Sequence, residues 1–98
     1  MLFRSVGARL LVLAVPHEAQ LAERALAADA DYTTMPQARL GAWCRAHGVP
    51  FVDVHAAFVR HRDEHLFVRG DPVHLSDAGH ALVAAELHGA LAAAHLLP

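Results

Sequence analysis

The apolar positions of this chain fall into a few distinct patterns, and each predicts an element. Arg9-Leu10-Leu11-Val12-Leu13-Ala14-Val15-Pro16 is a continuous apolar run between an arginine and a proline. A run this short and without alternation predicts a strand buried on both faces, as in a parallel sheet. Pro16 stops it before a buried helix could develop. From His17 to Ala28 the spacing becomes helical. Leu21, Ala22, Ala25 and Leu26 share one face, with Glu18, Glu23 and Arg24 opposite. Asp29-Ala30-Asp31-Tyr32 is a polar break. Thr33-Thr34-Met35-Pro36 opens a second helix, because Thr caps and Pro is tolerated in a first turn. Leu40, Trp43, Cys44 and His47 continue it at i, i+3, i+4 and i+7. Gly48 supplies a left-handed stop and Pro50 bars continuation.

Val49 to His55 reads as a second strand, with Phe51, Val52 and Val54 β-prone and Asp53 in its C-terminal half. Strand, helix and strand joined by short connections make a βαβ unit, so the two strands should run parallel with a right-handed crossover. Ala56 to Phe67 is ambiguous. Ala57, Phe58 and Val59 suit a helical turn, whereas His61-Arg62-Asp63-Glu64-His65 suits a solvated loop. Leu66-Phe67-Val68 is a short apolar anchor before Arg69-Gly70. The last element starts at Ser76, a good N-cap, with Asp77 at the positive end of the helix dipole. Val83, Leu87, Ala90, Leu91 and Ala94 give it an apolar stripe to about His95. The fold class expected is α/β, with parallel strands in a C-terminal βαβ unit followed by a final helix. Residues 1–9 form a leader and residues 10–98 a single partial domain.

Composition narrows the function. At 98 residues and 55% apolar, with mean hydropathy +0.29, the chain suits one small domain and is too apolar for a disordered segment. The apolar run from Leu10 to Pro16 is far shorter than the roughly 20 residues a membrane span needs. Met1-Leu2-Phe3-Arg4 followed by Ser5-Val6-Gly7-Ala8-Arg9 is a poor signal peptide, because Arg9 interrupts any apolar region. With no signal peptide read, the cytoplasm is the default location. Net charge is −2, with no basic tract, so a nucleic-acid surface has little support. Cys44 is the only cysteine, which excludes an internal disulfide and a cysteine-based zinc site. It reads as a small core residue.

Nine histidines invite a test for metal binding. His61 and His65 would share a face on a helix, but Arg60, Arg62 and Arg69 make the surroundings cationic and disfavour a divalent ion. His47, His88 and His95 lie near helix ends, where a cation suits the dipole. His55 lies just past a strand end, within range of a site there. No metal and no cofactor is called for.

The stretch with chemistry is Asp71-Pro72-Val73-His74-Leu75-Ser76-Asp77-Ala78-Gly79-His80. A carboxylate stands three residues before a histidine, in a Pro-containing turn ahead of a capped helix. An Asp held by such a turn can fix an imidazole by one ring nitrogen and leave the other free to take a proton. In α/β sheets, chemistry gathers in loops beyond the C-terminal strand ends.

That block, with Ala84, Glu86 and Leu87 behind it, resembles the last conserved block of the SGNH (GDSL-type) hydrolases. Their D-x-x-H is followed by a short turn and a helix. Leu11 to Pro16 and Ala38 to Asp53 are similar to the late strands and helix of that family. Pro16-His17-Glu18-Ala19-Gln20 resembles the SGNH-like domains of polysaccharide O-acetyltransferases. The resemblance spans about Leu10 to Ala92. It implies a partial three-layer, flavodoxin-like sandwich. It implies ester or O-acyl chemistry on a small-molecule or glycan ester. His74 would be the general base and Asp71 the residue that orients it. The family's Gly-Asp-Ser nucleophile block and its Gly and Asn oxyanion blocks have no counterpart. The chain contains no Asn, and its only serines are Ser5 and Ser76. Ser76 is committed to its cap, and Ser5 matches no motif. The chain therefore reads as the C-terminal portion of such a hydrolase, inactive alone. The alternative is a non-catalytic binding or assembly module whose D-x-x-H turn is structural. Two strands are fewer than the about five of a doubly wound domain. The first strand would expose an unpaired apolar edge, open to self-association.

Overall fold

The computed structural model describes residues 5–98, so residues 1–4 of the expected leader lie outside the described residues. The chain runs β1 (Val12–Ala14), a 3-10 turn (Glu18–Leu21), α1 (Glu23–Thr33), α2 (Met35–Ala46), β2 (Phe51–Asp53), α3 (His55–Arg60), a second 3-10 turn (Arg62–Glu64) and α4 (Asp77–Ala93). It is mixed α/β. β1 and β2 pair in parallel, with Val12 opposite Phe51, Leu13 opposite Val52 and Ala14 opposite Asp53.

Both strands are shorter than the apolar runs that predict them, and their residues are half-buried or exposed instead of buried on both faces. The second strand ends early because Asp53 turns the chain. Its Oδ1 accepts the His55 N–H at 2.9 Å, and Val54 leaves the extended region at φ −88, ψ 7. His55 thus opens α3 instead of closing a strand.

The single helix expected over His17 to Ala28 is also divided. The His17 ring accepts the Ala19 N–H at 3.2 Å, and the Gln20 side chain accepts the His17 N–H at 2.8 Å. This reciprocal cap closes a 3-10 turn. Ala22 is then extended, and α1 restarts at Glu23. Within α1, Asp29 is again extended and caps a new turn by accepting the Tyr32 N–H at 3.0 Å. The polar break of Asp29 to Tyr32 is a helix reset and not a loop.

The period-two alternation of a strand places α2 and α4 on opposite faces of the sheet. Phe51 packs its ring over Gly41 of α2. Val52, together with its partner Leu13, points the other way, into a cluster of Leu21, Val54, Phe58, Leu66 and Phe67. Leu82 and Val83 of α4 close over that cluster. Phe58 is fully buried and meets Phe67 edge-to-face at 5.9 Å. Cys44 is fully buried on α2, as a core residue should be. Two buried polar groups are tied down. Gln37 exchanges amide hydrogen bonds with Gln20 at 2.9 and 3.0 Å, and the His55 Nε2 meets the Gln20 carbonyl at 2.7 Å. These three bonds fasten the segment after β1 to the elements beneath it. Among the described residues, no helix is long and apolar enough to cross a membrane.

Candidate active site

Leu66 to Ser76 forms a small closed loop at the start of α4. Phe67 and Leu75 make an antiparallel bridge. The Val68 N–H donates to the His74 carbonyl and the Ser76 N–H to the Leu66 carbonyl, each at 2.9 Å. At the tip, Gly70 takes φ +81, a region that suits glycine, and the Asp71 N–H donates back to the Val68 carbonyl at 2.8 Å. Ser76 then caps α4. Its Oγ accepts the Gly79 N–H at 3.2 Å and donates to the His65 carbonyl at 2.6 Å.

Inside this loop both carboxylate oxygens of Asp71 are engaged. Its Oδ1 receives the Val73 N–H at 2.9 Å and the His74 N–H at 3.0 Å. Its Oδ2 meets the His74 Nδ1 at 2.6 Å. The backbone N–H of His74, then that of Val73, then the His74 ring hold the carboxyl down to a pKa of about 2, from an ordinary 3.8. At neutral pH it is therefore an acceptor only, so the His74 Nδ1 must carry the hydrogen. In the neutral form of the ring the lone pair then lies on Nε2. That nitrogen has no protein partner among the described residues, and the His74 side chain is 79% exposed. An imidazole fixed at Nδ1 by a carboxylate, with Nε2 free and open, can take a proton from a hydroxyl placed against it.

One main-chain bond ties the loop to the 3-10 turn that follows β1, the Glu18 N–H to the Pro72 carbonyl at 2.9 Å. β1 ends three residues before His17, whose cap holds this segment in place. The turn therefore stands at the C-terminal end of β1. A main-chain bond of this kind has no side-chain signal, so the sequence did not reveal Glu18 as a support. Beside the turn lies an open hollow of about 860 Å³, floored by Leu21, Leu66 and Phe67 and rimmed by Glu18, Arg69 and Gly70. Neither Asp71 nor His74 lines it.

The other sequence candidates do not join the pair. Ser76 is engaged by its cap on both sides, and Ser5 is exposed ahead of β1. His55 does not reach the site from its strand end, since it is buried against Gln20. His61 pairs with Glu64, while His65 turns into the left-handed region at φ 54, so the helical face that would join the two is not formed. Among the described residues, no three His, Cys, Asp or Glu side chains converge on a metal-sized site. His80 is exposed on the first turn of α4.

No family model, no curated protein and no solved structure matches this chain.

Proposed function

We propose that Asp71 and His74 are the acid–base half of a serine-hydrolase site of the SGNH type, acting on an ester or O-acyl group. The observation that carries this reading is the 2.6 Å contact of Asp71 with the His74 Nδ1, on an imidazole whose Nε2 is open. The His74 Nε2 takes the proton of a serine hydroxyl as its oxygen attacks the acyl carbon. It returns that proton to the departing alkoxide, which leaves an acyl-enzyme. A water molecule then repeats the sequence and releases the acid. Asp71 stays ionised throughout and stabilises the imidazolium. The serine and the oxyanion donors come from residues other than those of this chain, and Ser76 is not the nucleophile.

The test begins with the coding sequence upstream of the Met1 codon. The proposal expects an in-frame Gly-Asp-Ser block and an Asn block there. The longer polypeptide should hydrolyse p-nitrophenyl acetate and take a fluorophosphonate on that serine, with turnover lost in His74→Ala. The 98-residue chain alone should show no turnover that depends on His74. A reading frame without those blocks, together with a well-folded and inert 98-residue protein, overturns the reading.

A second reading rests on a different observation. Both Asp71 Oδ1 bonds go to main-chain N–H groups, and these hold the turn whether or not His74 ever takes a proton. On that reading the turn is structural and the chain is a binding module. His74→Ala separates the two, because it would then leave every activity or binding property of the longer polypeptide intact.

A further inference from the structure

We infer that Gln20 is a positioning residue for the Asp71–His74 pair, because the turn it locks aims the Glu18 N–H at the peptide unit that holds the Asp71 carboxylate. The inference deepens the reading of that pair as an acid–base site and rests on it. A peptide unit carries its carbonyl and its N–H on opposite sides of one rigid plane, so a bond at one end sets the direction of the other. The His17–Glu18 unit accepts the Gln20 N–H on its carbonyl and donates its own N–H to the Pro72 carbonyl, each at 2.9 Å. The Pro72–Val73 unit, gripped there, donates its N–H to the Asp71 Oδ1 at 2.9 Å. Asp71 in turn meets the His74 Nδ1 through Oδ2 at 2.6 Å. Two peptide planes thus link Gln20 to the imidazole, and bonds in such a row polarise one another.

Such a row needs a fixed starting point, and Gln20 is fixed from several sides. A side-chain amide has two hydrogens and two acceptor sites, and here all of them are engaged. Oε1 accepts the His17 N–H at 2.8 Å and an amide hydrogen of Gln37 at 3.0 Å. Nε2 donates to the Thr33 carbonyl at 2.8 Å and to the Gln37 Oε1 at 2.9 Å. The orientation of the amide is forced, since the His17 N–H can only donate and the Thr33 carbonyl can only accept. The Gln20 main-chain carbonyl receives the His55 Nε2 at 2.7 Å. Thr33 ends α1, Gln37 lies on α2 and His55 opens α3, so three helices hold one residue. Gln37 and His55 are both buried, whereas His74 is exposed. The row therefore ties the tip of a surface turn to the interior.

Nuclear magnetic resonance of the 98-residue chain at neutral pH tests this. Glu18 is the first residue of its turn and follows an extended His17 at φ −78, ψ 147, a position that accepts proline. Glu18→Pro deletes the linking N–H, Glu18→Ala keeps it, and Gln20→Ala releases the turn from α1 and α2. In Glu18→Pro and Gln20→Ala the Val73 amide should exchange faster, and the His74 ring should pass from the Nδ1–H form to a mixture of both neutral forms. Glu18→Ala should change neither. A structural role alone would lower the unfolding midpoint and leave the ring of the folded protein as it was. A folded Gln20→Ala or Glu18→Pro with the wild-type ring pattern overturns the inference, as does a Glu18→Ala that shifts the ring equally. If Gln20→Ala fails to fold, Glu18→Pro decides. If neither folds, the wild-type Glu18 amide decides, and free exchange there overturns the inference. Should a longer, serine-bearing polypeptide hydrolyse esters, Gln20→Ala should lower its kcat at least roughly tenfold and leave KM unchanged, and an unchanged kcat overturns the inference. Should it show no turnover, the hydrolase reading falls, while the ring measurements still decide the positioning.

Discussion

Gly79 of α4 passes so close to Leu66 that a Cβ at this position would overlap the Leu66 carbonyl oxygen. The same oxygen accepts the Ser76 N–H at 2.9 Å, so the helix start and the Leu66 to Ser76 loop meet at one atom. Gly79→Ala must push α4 away from that atom. Forced overpacking of this kind costs roughly 1–3 kcal/mol. Urea unfolding should show that loss, and the His74 ring signals should shift with it. An unchanged midpoint would mean that α4 does not sit on Leu66 as described.

Ser76 joins the loop to the helix through its hydroxyl, which serves the Gly79 N–H and the His65 carbonyl together. Ser76→Ala removes both bonds, and losing an N-cap typically costs about 1 kcal/mol. The variant should unfold earlier. If the proposed hydrolase site is completed by a serine in a longer polypeptide, that polypeptide should keep its turnover with Ser76→Ala under folding conditions. Loss of turnover in folded protein would make Ser76 a reacting group and contradict its assignment as a cap.

Asp71 links the turn to pH. Its folded pKa of about 2 lies below the ordinary 3.8, so the folded state binds that proton less readily than the unfolded one. The resulting stabilisation is complete above 3.8 and is lost as pH falls through about 2. Carboxyl chemical shifts should place the Asp71 midpoint near 2, and Asp71→Asn should remove its share of the acid destabilisation. A midpoint near 3.8 would mean that the two main-chain donors do not hold the carboxylate.

The sequence and the structure agree where local chemistry decides and part where distant partners decide. Ser76, the turn before it and the D-x-x-H spacing were legible because capping and Asx-type bonds act within three residues. The parallel relation of β1 and β2 was legible from the short crossover between them. The strand lengths were not. Leu10, Leu11 and Val15 are as apolar as Val12, but only three residues on each strand find a partner. His17 stands at the start of a helical pattern, yet its ring caps a 3-10 turn, and Ala22 carries no residue-level sign that it extends. His55 was misjudged because its burial comes from the Gln20 carbonyl, 35 positions away in the chain. No spacing within one segment reports such a contact.

Cys44 illustrates a site that the apolar pattern does settle. It is fully buried on the inner side of α2. Its thiol should react with a disulfide reagent only when the chain opens, and addition of denaturant should raise the rate steeply at the unfolding midpoint. Rapid labelling of the native protein would show that α2 does not cover it.

The central claim is that Asp71 fixes His74 as a base with its lone pair on Nε2. Long-range proton–nitrogen correlation of the His74 ring measures this directly, by showing which nitrogen carries the hydrogen in the neutral imidazole. Free histidine in water favours the hydrogen on Nε2. In this protein the hydrogen should lie on the His74 Nδ1, facing Asp71, and Asp71→Ala should return the ring to the free-histidine pattern. An Nε2–H ring in the wild-type protein, unchanged in Asp71→Ala, would contradict it.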